Sequence, residues 1–332
     1  MSGTLRAMTE TAVAQLYQRF ADREARGVSD VYFDWATGIA RDAGVLQLVA
    51  GLPERKRQPN LVFAAARLGG APEAGYAEMR DWLVARWVDV LAQVMARSTQ
   101  TNEAARCAVL LPVLSRLPGR LALIEVGASA GLCLLPDRYS YLYEAPGCTV
   151  RLDPDDGPSA VAIRCRIDEQ SVPTRLPLVA WRAGVDLNPL SVRDPDERAW
   201  LTTLVWPEHE ERRARLAAAF EIAAADPPNV QRGDMLEALP GLVASTPADC
   251  HVVVFHSAVL AYVDLDVRQK FSELMRSLPN VTWISNEGRN ILPRITRQLR
   301  RDPDGRMVVS VNGRATALAG AHGDSYEAVV DR

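Results

Sequence analysis

Residues 121–135, LALIEVGASAGLCLL, constrain the fold more than any other part of the chain. The short apolar run 121–126 follows a proline–glycine pair, and such a run is typical of a buried strand. Gly127, Ser129 and Gly131 predict a tight turn that lets the backbone approach a ligand closely. The apolar pattern beyond the turn predicts a helix that directs its first N–H groups at that ligand. This order of elements indicates a parallel α/β sheet with a binding site at the turn.

The turn fits two known motifs and falls short of a third. As G-x-S-x-G it matches the nucleophile elbow of α/β-hydrolases, with Ser129 as the attacking group. As E-x-G-x-S-x-G it resembles the first motif of class I S-adenosylmethionine-dependent methyltransferases, in which Glu125 would face the amino-acid end of the cofactor. The dinucleotide fingerprint G-x-G-x-x-G needs a different glycine spacing. A plainer interpretation is a strand, turn and helix whose small residues serve packing alone.

Glu125 favours the methyltransferase motif over the hydrolase motif. An acidic residue two positions before the first glycine has no evident role beside a serine nucleophile. A hydrolase elbow also follows several strands of its sheet, whereas the sequence upstream of Pro118 has a helical pattern. We therefore prefer cofactor binding to packing alone, and packing to serine hydrolysis.

The predicted elements divide the chain near Pro118. We expect an N-terminal all-helical domain over 1–118 and a Rossmann-like cofactor-binding domain over 119–332, with an inserted β region at about 137–177. Strands and helices alternate through the second domain, which ends in an antiparallel pair. This order predicts a doubly wound α/β sheet of the class I methyltransferase type. The predicted strands after the first are 178–187, 229–235, 251–254, 281–285, 307–311 and 326–330.

The composition excludes several classes of partner. A net charge of −3 and a pI near 5.9 provide no basic field for a nucleic-acid backbone. The sequence has no apolar signal core and no apolar run of about 18 residues, so we expect no membrane segment and a cytoplasmic protein. The five cysteines are scattered and form no cluster with histidine, which predicts neither a disulfide framework nor a bound metal.

Acidic and polar residues near the predicted strand ends are candidates for cofactor contacts. Asp186 ends the second strand of the sheet, where nucleotide-binding proteins place a carboxylate on the ribose hydroxyls. Asp234 ends the third, where adenine would lie. Each of the two also fits a plain turn or N-cap residue. In the polar run 97–103, Gln100 and Asn102 are candidate ligand contacts, and the alternative is an N-cap formed by Thr101 or Asn102.

His256 is the candidate general base. It follows the apolar strand 251–254, at the strand end where α/β sheets bind their ligands. The alternative is a histidine buried in the core. Glu287 and His322 are further candidates on the side of the methyl acceptor.

Seven blocks of the sequence resemble one family, and TQTNE and EVGASAGL are its most specific signatures. It is the actinobacterial domain-of-unknown-function family 2332, and Cys133 stands where that family more often has asparagine. The resemblance runs through nearly the whole chain and implies a methyltransferase-like fold, without implying a reaction. The blocks are QPNL (58–61), RSTQTNEAARC (97–107), LIEVGASAGLCLLPDRYSY (123–141), RAGVDLNPL (182–190), LVWPE (204–208), GDM (233–235) and VVFHSAVLAY (253–262).

The sequence thus leads to the hypothesis of an S-adenosylmethionine-dependent methyltransferase that acts on a small molecule. The sulfonium makes the methyl group electrophilic, so the protein need only align an acceptor and remove its proton. Two alternatives stay open. One is a protein that binds adenosylmethionine or a nucleotide without turnover, and the other is a hydrolase in which His256 or His322 reaches Ser129.

Overall fold

The computed structural model describes residues 3–100 and 102–329. Contacts group the chain into two compact units. The helical unit comprises Met1–Thr101 and Pro195–Ala214, and the sheet unit comprises Asn102–Asp194 and Arg215–Arg332. Residue 118, where the sequence predicts a domain boundary, lies within the sheet unit, and a separate domain over 1–118 stays a prediction.

Twelve α-helices are present in the described residues. None of them is both long and apolar enough to cross a membrane. They are α1 (Gly3–Phe20), α2 (Asp30–Ile39), α3 (Ala43–Ala50), α4 (Pro59–Leu68), α5 (Tyr76–Ala85), α6 (Trp87–Ala96), α7 (Cys107–Leu114), α8 (Pro195–Leu204), α9 (Glu210–Ala225), α10 (Met235–Ala244), α11 (Leu265–Ser277) and α12 (Pro293–Thr296).

The helical unit has an aromatic core. Tyr17, Tyr32 and Trp35 are wholly buried and pack around Phe63, with ring centroids 4.9–5.9 Å apart. Ser98 of the polar run is bonded within this unit, since its carbonyl accepts the indole N–H of Trp200 at 3.1 Å. These tryptophans and tyrosines therefore serve packing, as expected for apolar residues at helical spacing.

The described residues also form eleven strands. All of them join one sheet, in the order β3-β2-β4-β11-β10-β9-β8-β7-β1-β5-β6. They are β1 (Arg120–Val126), β2 (Ser140–Ala145), β3 (Cys148–Leu152), β4 (Ala162–Ile167), β5 (Leu178–Asp186), β6 (Asn229–Arg232), β7 (Cys250–Ser257), β8 (Val281–Glu287), β9 (Met307–Val311), β10 (Arg314–Ala319) and β11 (Ser325–Ala328).

The centre of the sheet is a parallel block of five strands, β6-β5-β1-β7-β8. The chain moves from β1 outward to β5 and β6, and then returns to the other side of β1 to form β7 and β8. This confirms the predicted mixed α/β class with a largely parallel sheet. The two predicted terminal strands do not pair with each other, because β10 lies between β9 and β11 and pairs antiparallel with both, while β9 pairs antiparallel with β8. Strands β2, β3 and β4 of the region 137–177 extend the same sheet beyond β11.

Strand register decides which side chains share a face of the sheet. Glu125 pairs with Phe255 of β7, and two residues further on Ser257 pairs with Asn286 of β8. Because successive side chains alternate between faces, Glu125, Ser257 and Asn286 lie on one face, here called the Glu125 face. His256 lies on the opposite face, which packs on α10 and α11 through the cluster Ile124, Val126, Val254, Leu239, Phe271 and Trp283.

The predicted helix after the glycine turn is wrong. The chain forms only two single 3₁₀ turns there, Leu132–Leu134 and Pro136–Arg138. Gly131 precedes them in a left-handed conformation with φ +72°. Pro136 then lacks the N–H that a helix would need. The apolar residues of this segment are buried, so their pattern reflects burial on all sides and not a helical face.

Candidate functional site

The glycine turn 127–131 uses all of its own N–H groups. Each of the five donates to an acceptor within the sheet unit, so the turn is not a cradle of free N–H groups for an anion. The bonds run from Gly127 and Ala128 to the carbonyl of Val185 (2.8 and 3.3 Å), from Ser129 to Oδ2 of Asp186 (2.8 Å), from Ala130 to Oδ1 of Asn102 (3.0 Å), and from Gly131 to the carbonyl of Ala128 (2.7 Å).

The two glycines of the turn make room for protein side chains. Gly127 and Gly131 have φ +70° and +72°, which residues with a Cβ rarely adopt. A Cβ on Gly127 would lie 2.4 Å from Cγ2 of Val259, and one on Gly131 would lie 2.8 Å from Cβ of Pro228. Close packing of the loops that contain Val259 and Pro228 therefore explains both glycines.

Asn102 binds the turn itself. Its Nδ2 donates to Oγ of Ser129 at 2.8 Å, in addition to the bond that Oδ1 accepts from Ala130. Glu103, and not Asn102, caps the 3₁₀ turn Ala104–Arg106, because Oε1 of Glu103 accepts the N–H of Ala105 at 3.2 Å. Thr101, the other predicted cap, lies outside the described residues. Gln100 belongs to the helical unit, and its contact with a ligand stays a prediction.

Asp186 and Asp234 both have structural partners. Oδ2 of Asp186 accepts the N–H of Ser129 and Oδ1 accepts that of Asn188 at 2.7 Å, so this half-buried carboxylate stabilises the turn. Each oxygen keeps a second lone pair for a ligand hydroxyl. Asp234 is exposed and caps α10, with Oδ1 accepting from Leu236 at 2.7 Å. Both residues thus fill the turn and cap roles that the sequence offers as alternatives.

Glu125 is a buried carboxyl group with an unpartnered oxygen. The residue is 6 % exposed, and no group of the described residues forms a hydrogen bond with its Oε2. Burial raises the pKa of Glu125 well above its usual value, Cys133 and Asp186 raise it further, and the guanidinium of Arg106 lowers it. The structure therefore holds an acidic group without a donor at the carboxyl end of β1.

This pKa predicts a pH-dependent effect of Glu125→Gln. A carboxyl group whose pKa is raised by folding stabilises the fold most below its ordinary pKa, and that contribution is lost as the pH rises through the raised value. We expect the variant to become increasingly more stable than the wild type between pH 5 and pH 8.5, by at most about 1.4 kcal/mol per pH unit. Urea unfolding across this range measures the difference.

Glu211→Gln, at an exposed position of α9, is the control for the loss of one negative charge. A Glu125→Gln variant that is equally destabilised at every pH would show that the ionised carboxylate is well solvated or paired in the native state.

Arg106 is the functional candidate that the sequence interpretation missed. Its guanidinium is buried, with Nη1 donating to the carbonyl of Ser257 at 3.0 Å and Nε to that of Ala321 at 3.1 Å. Within the described part of the chain it forms no ion pair with a carboxylate, and Nη2 makes no hydrogen bond. A signal was available, because Arg106 is the one charged residue in the otherwise apolar run 104–114.

Asn286 completes a polar cluster on the Glu125 face. The side chain is wholly buried, and its Nδ2 donates to Oγ of Ser257 at 2.8 Å. Its Oδ1 has no hydrogen-bond partner among the residues described. Glu125 and Asn286 lie at the carboxyl ends of β1 and β8, and Arg106 bonds to Ser257 at the end of β7. This is the edge at which parallel α/β sheets bind ligands. Arg106, Glu125 and Asn286 are here called the Arg106 cluster.

His256 and Glu287 contact each other on the opposite face. Nδ1 of the wholly buried His256 lies 2.7 Å from Oε1 of Glu287, and the indole N–H of Trp283 donates to Nε2 at 3.1 Å. Because an indole nitrogen only donates, Nε2 must accept, and the proton lies on Nδ1. Both nitrogens of the neutral imidazole are thus engaged in the core, which counts against a role as general base.

The remaining candidate, His322, follows Ala321, whose carbonyl accepts from Arg106. His322 is in an exposed turn after β10. A cavity of about 360 Å³ opens between the loop 154–160 and the end of α9, and its lining contains none of the candidate residues. Within residues 3–100 and 102–329, no group of three or more histidine, cysteine, aspartate or glutamate side chains is placed to hold a metal ion.

Comparison with known proteins gives a family. No curated protein matches the sequence. One family model matches residues 14–327, which include both units almost entirely and all the candidate residues. This confirms the family that the sequence blocks indicate. The chain belongs to the family described as "Uncharacterized protein conserved in bacteria (DUF2332)".

Proposed function

We propose that the sheet unit binds S-adenosylmethionine at the carboxyl ends of β1, β5 and β7, and that the protein transfers its methyl group to a small molecule. The unpartnered Oε2 of buried Glu125 carries this proposal. A buried polar group without a partner costs about 1–3 kcal/mol. A ligand ammonium, such as the one on the methionine part of the cofactor, would remove that cost.

The order of the strands supports the same ligand. In the block β6-β5-β1-β7-β8 the chain reverses direction beside β1, and doubly wound sheets bind nucleotides at such a reversal. Acidic residues lie at the carboxyl ends of β1 and β5, and antiparallel β9 follows β8. A Rossmann-like sheet of the methyltransferase type has this arrangement.

The residues present fit the cofactor in part. Glu125 would hold the ammonium, and the spare lone pairs of Asp186 would accept the ribose hydroxyls. The cofactor, when bound, supplies a methyl group made electrophilic by the sulfonium. The turn itself would contribute shape and no N–H donors, since Val185, Asp186 and Asn102 already accept them. The role of the chain is then to orient the two reactants.

Binding without turnover is the second candidate function. The placement of His256 favours it, because the strongest base candidate lies on the face opposite Glu125 with both nitrogens bonded. A serine hydrolase is less well supported. Oγ of Ser129 accepts from the amide of Asn102, while His256 faces away and His322 lies in an exposed turn.

A ligand panel tests the proposal. We expect S-adenosylmethionine and S-adenosylhomocysteine to raise the melting temperature of the full chain, with a stabilisation of about 2.7 kcal/mol at one hundred times Kd, and NAD and ATP to leave it unchanged. Glu125→Gln should abolish the shift. Because this variant is expected to be more stable than the wild type above pH 5, its failure to bind would not reflect unfolding.

Transfer of a radiolabelled methyl group to a small-molecule extract separates the two candidate functions. Label in the product with the wild type, and none with Glu125→Gln, is the result expected for a methyltransferase. A melting shift without transfer would favour binding without turnover. Tight binding of NAD with no response to adenosylhomocysteine would contradict the methyltransferase proposal and leave nucleotide binding without turnover.

A further inference from the structure

We propose that helices α5 and α6 form the interface of a two-fold symmetric homodimer, in which α6 packs antiparallel against α6 of a second copy of this chain. The inference concerns the helical unit and does not rest on the proposed function. The interface is an apolar surface on the exposed side of both helices, here called the Val88 stripe. It consists of Val84, Ala85, Val88, Ala92, Met95 and Ala96.

Helix α6 has apolar residues on its outer side as well as on its inner side. Val90 and Val94 are buried and lie four positions apart, so they mark the side that packs within the helical unit. Val88, Ala92 and Met95 repeat at the same spacing on the opposite side, where Val88 is 78 % exposed and Met95 47 %. A helix with apolar residues on opposite sides is normally covered on both. The outer side of α6 is therefore expected to pack against another surface.

Exposed large apolar side chains are concentrated in this part of the chain. Three of the eight that occur in the described residues, Val84, Val88 and Met95, lie within twelve positions. Ala85 and Ala92 lie on the same side and keep the surface between them apolar. Single exposed apolar residues are ordinary, whereas a contiguous group marks a surface that binds another molecule.

Two unpaired charges beside the stripe favour a second copy of the chain as the partner. Arg86 precedes α6 and Asp89 lies in its first turn, and both side chains are exposed. Neither forms an ion pair with any residue that the structure describes, and the guanidinium of Arg86 lies over the ring of Trp82, 5.8 Å from its centroid. A surface that carries one cation and one anion three positions apart is complementary to a copy of itself turned end to end.

An antiparallel arrangement pairs these charges twice. In a two-fold dimer the same surface meets itself, so two different residues that face each other at one contact also do so at a second. If the helices cross between residues 87 and 88, Arg86 of each copy lies opposite Asp89 of the other. The same crossing brings Val84 and Val88 of each copy against the stripe of the other. A parallel arrangement would not bring the two charges together.

A lipid surface fits the Val88 stripe less well. Amphipathic helices that bind membranes have lysine and arginine on the polar side, where these residues contact anionic headgroups. The charged residues of 81–96 are Asp81, Arg86 and Asp89, which provide no excess of positive charge.

Sedimentation equilibrium of the full chain tests the proposal. At about 10 μM we expect a mass of twice the 36.4 kDa of the chain. Val88→Asp should weaken dimerisation by at least about 100-fold, because a carboxylate at the centre of the interface would be buried without a partner. Val28→Asp is the matched control, since Val28 belongs to the same unit, is 50 % exposed and lies outside the stripe. Circular dichroism shows that both variants are folded.

Reversal of the two charges tests the antiparallel arrangement. Asp89→Arg and Arg86→Asp each place like charges opposite each other, so each should weaken dimerisation by at least about 10-fold. The double variant Arg86→Asp/Asp89→Arg restores opposite charges at both contacts, and its dissociation constant should return to within about threefold of that of the wild type. Glu54→Arg, at an exposed position of the same unit outside the stripe, is the control for charge reversal and should leave the dimer unchanged.

Three results would overturn the proposal. The first is a wild type that stays monomeric at about 100 μM, and its binding to anionic vesicles would identify the stripe as a lipid-binding surface instead. The second is a Val88→Asp variant that dimerises as tightly as the wild type. The third is a double charge variant that dimerises no better than the two single variants, which would show that Arg86 and Asp89 do not face each other.

Discussion

Replacing Gly323 by alanine is expected to lower the free energy of unfolding by about 3 kcal/mol or more. Gly323 has φ +83°, and a Cβ there would lie 2.0 Å from the carbonyl oxygen and 2.4 Å from the carbonyl carbon of Ala105. The left-handed conformation costs an alanine about 1 kcal/mol, and overlap with a rigid backbone adds about 1–3 kcal/mol. Urea unfolding followed by tryptophan fluorescence measures the loss.

Gly313→Ala separates the cost of the left-handed conformation from the cost of overlap with the backbone. Gly313 has a similar φ of +79°, but a Cβ there would meet nothing within 4 Å, so this variant should lose only about 1 kcal/mol. Because Ala321 accepts from Arg106 in the same turn as Gly323, the Gly323 variant should also shift the Arg106 guanidinium. Equal losses for the two variants would show that the turn moves away from Ala105 without strain.

Replacing His256 by alanine is expected to destabilise the protein by about 3–5 kcal/mol. The imidazole is wholly buried, with its ring centroid 5.3 Å from that of Phe271 and 6.1 Å from that of Trp283. Its removal leaves a cavity the size of an aromatic ring, takes the acceptor from the indole N–H of Trp283 and removes a donor from Glu287. Chemical denaturation gives the change directly.

His322→Ala in the exposed turn is the control and should stay within about 0.5 kcal/mol of the wild type. The affinity of the folded His256 variant for adenosylhomocysteine should be nearly unchanged, because His256 and Glu125 lie on opposite faces. If His256→Ala kept full stability and lost methyl transfer instead, the imidazole would be catalytic and the core assignment would be wrong.

Local sequence patterns predict the frame of the fold well. The apolar run 121–126 becomes β1, the run ending in Asp186 becomes β5, and 307–311 becomes β9. Short apolar runs between turn signals specify buried strands because a parallel sheet is covered on both faces. The same reasoning fails after Gly131, since a segment buried all round has no periodicity that separates helix from 3₁₀ turns.

Which residues form the site depends on contacts between residues that are far apart in the sequence. Asn102 meets Ser129 across 27 positions, and Arg106 meets Ala321 across 215. The opposite placement of Glu125 and His256 follows from strand register, and a shift of one residue would reverse it. No local pattern contains that information. The sequence analysis missed Arg106 for a different reason. Because the chain is rich in arginine, each arginine is most simply interpreted as an exposed surface residue.

The strand order also affects how the chain can be made. Strands β2, β3 and β4 reach the rest of the sheet through β11, which pairs with β4. At a synthesis rate of about 5–20 residues per second, the stretch of about 160 residues between β4 and β11 takes roughly 8–30 s to emerge. During that interval the edge of β4 that will pair with β11 is open. A nascent chain therefore leaves this edge open to pairing with other chains until β11 is synthesised.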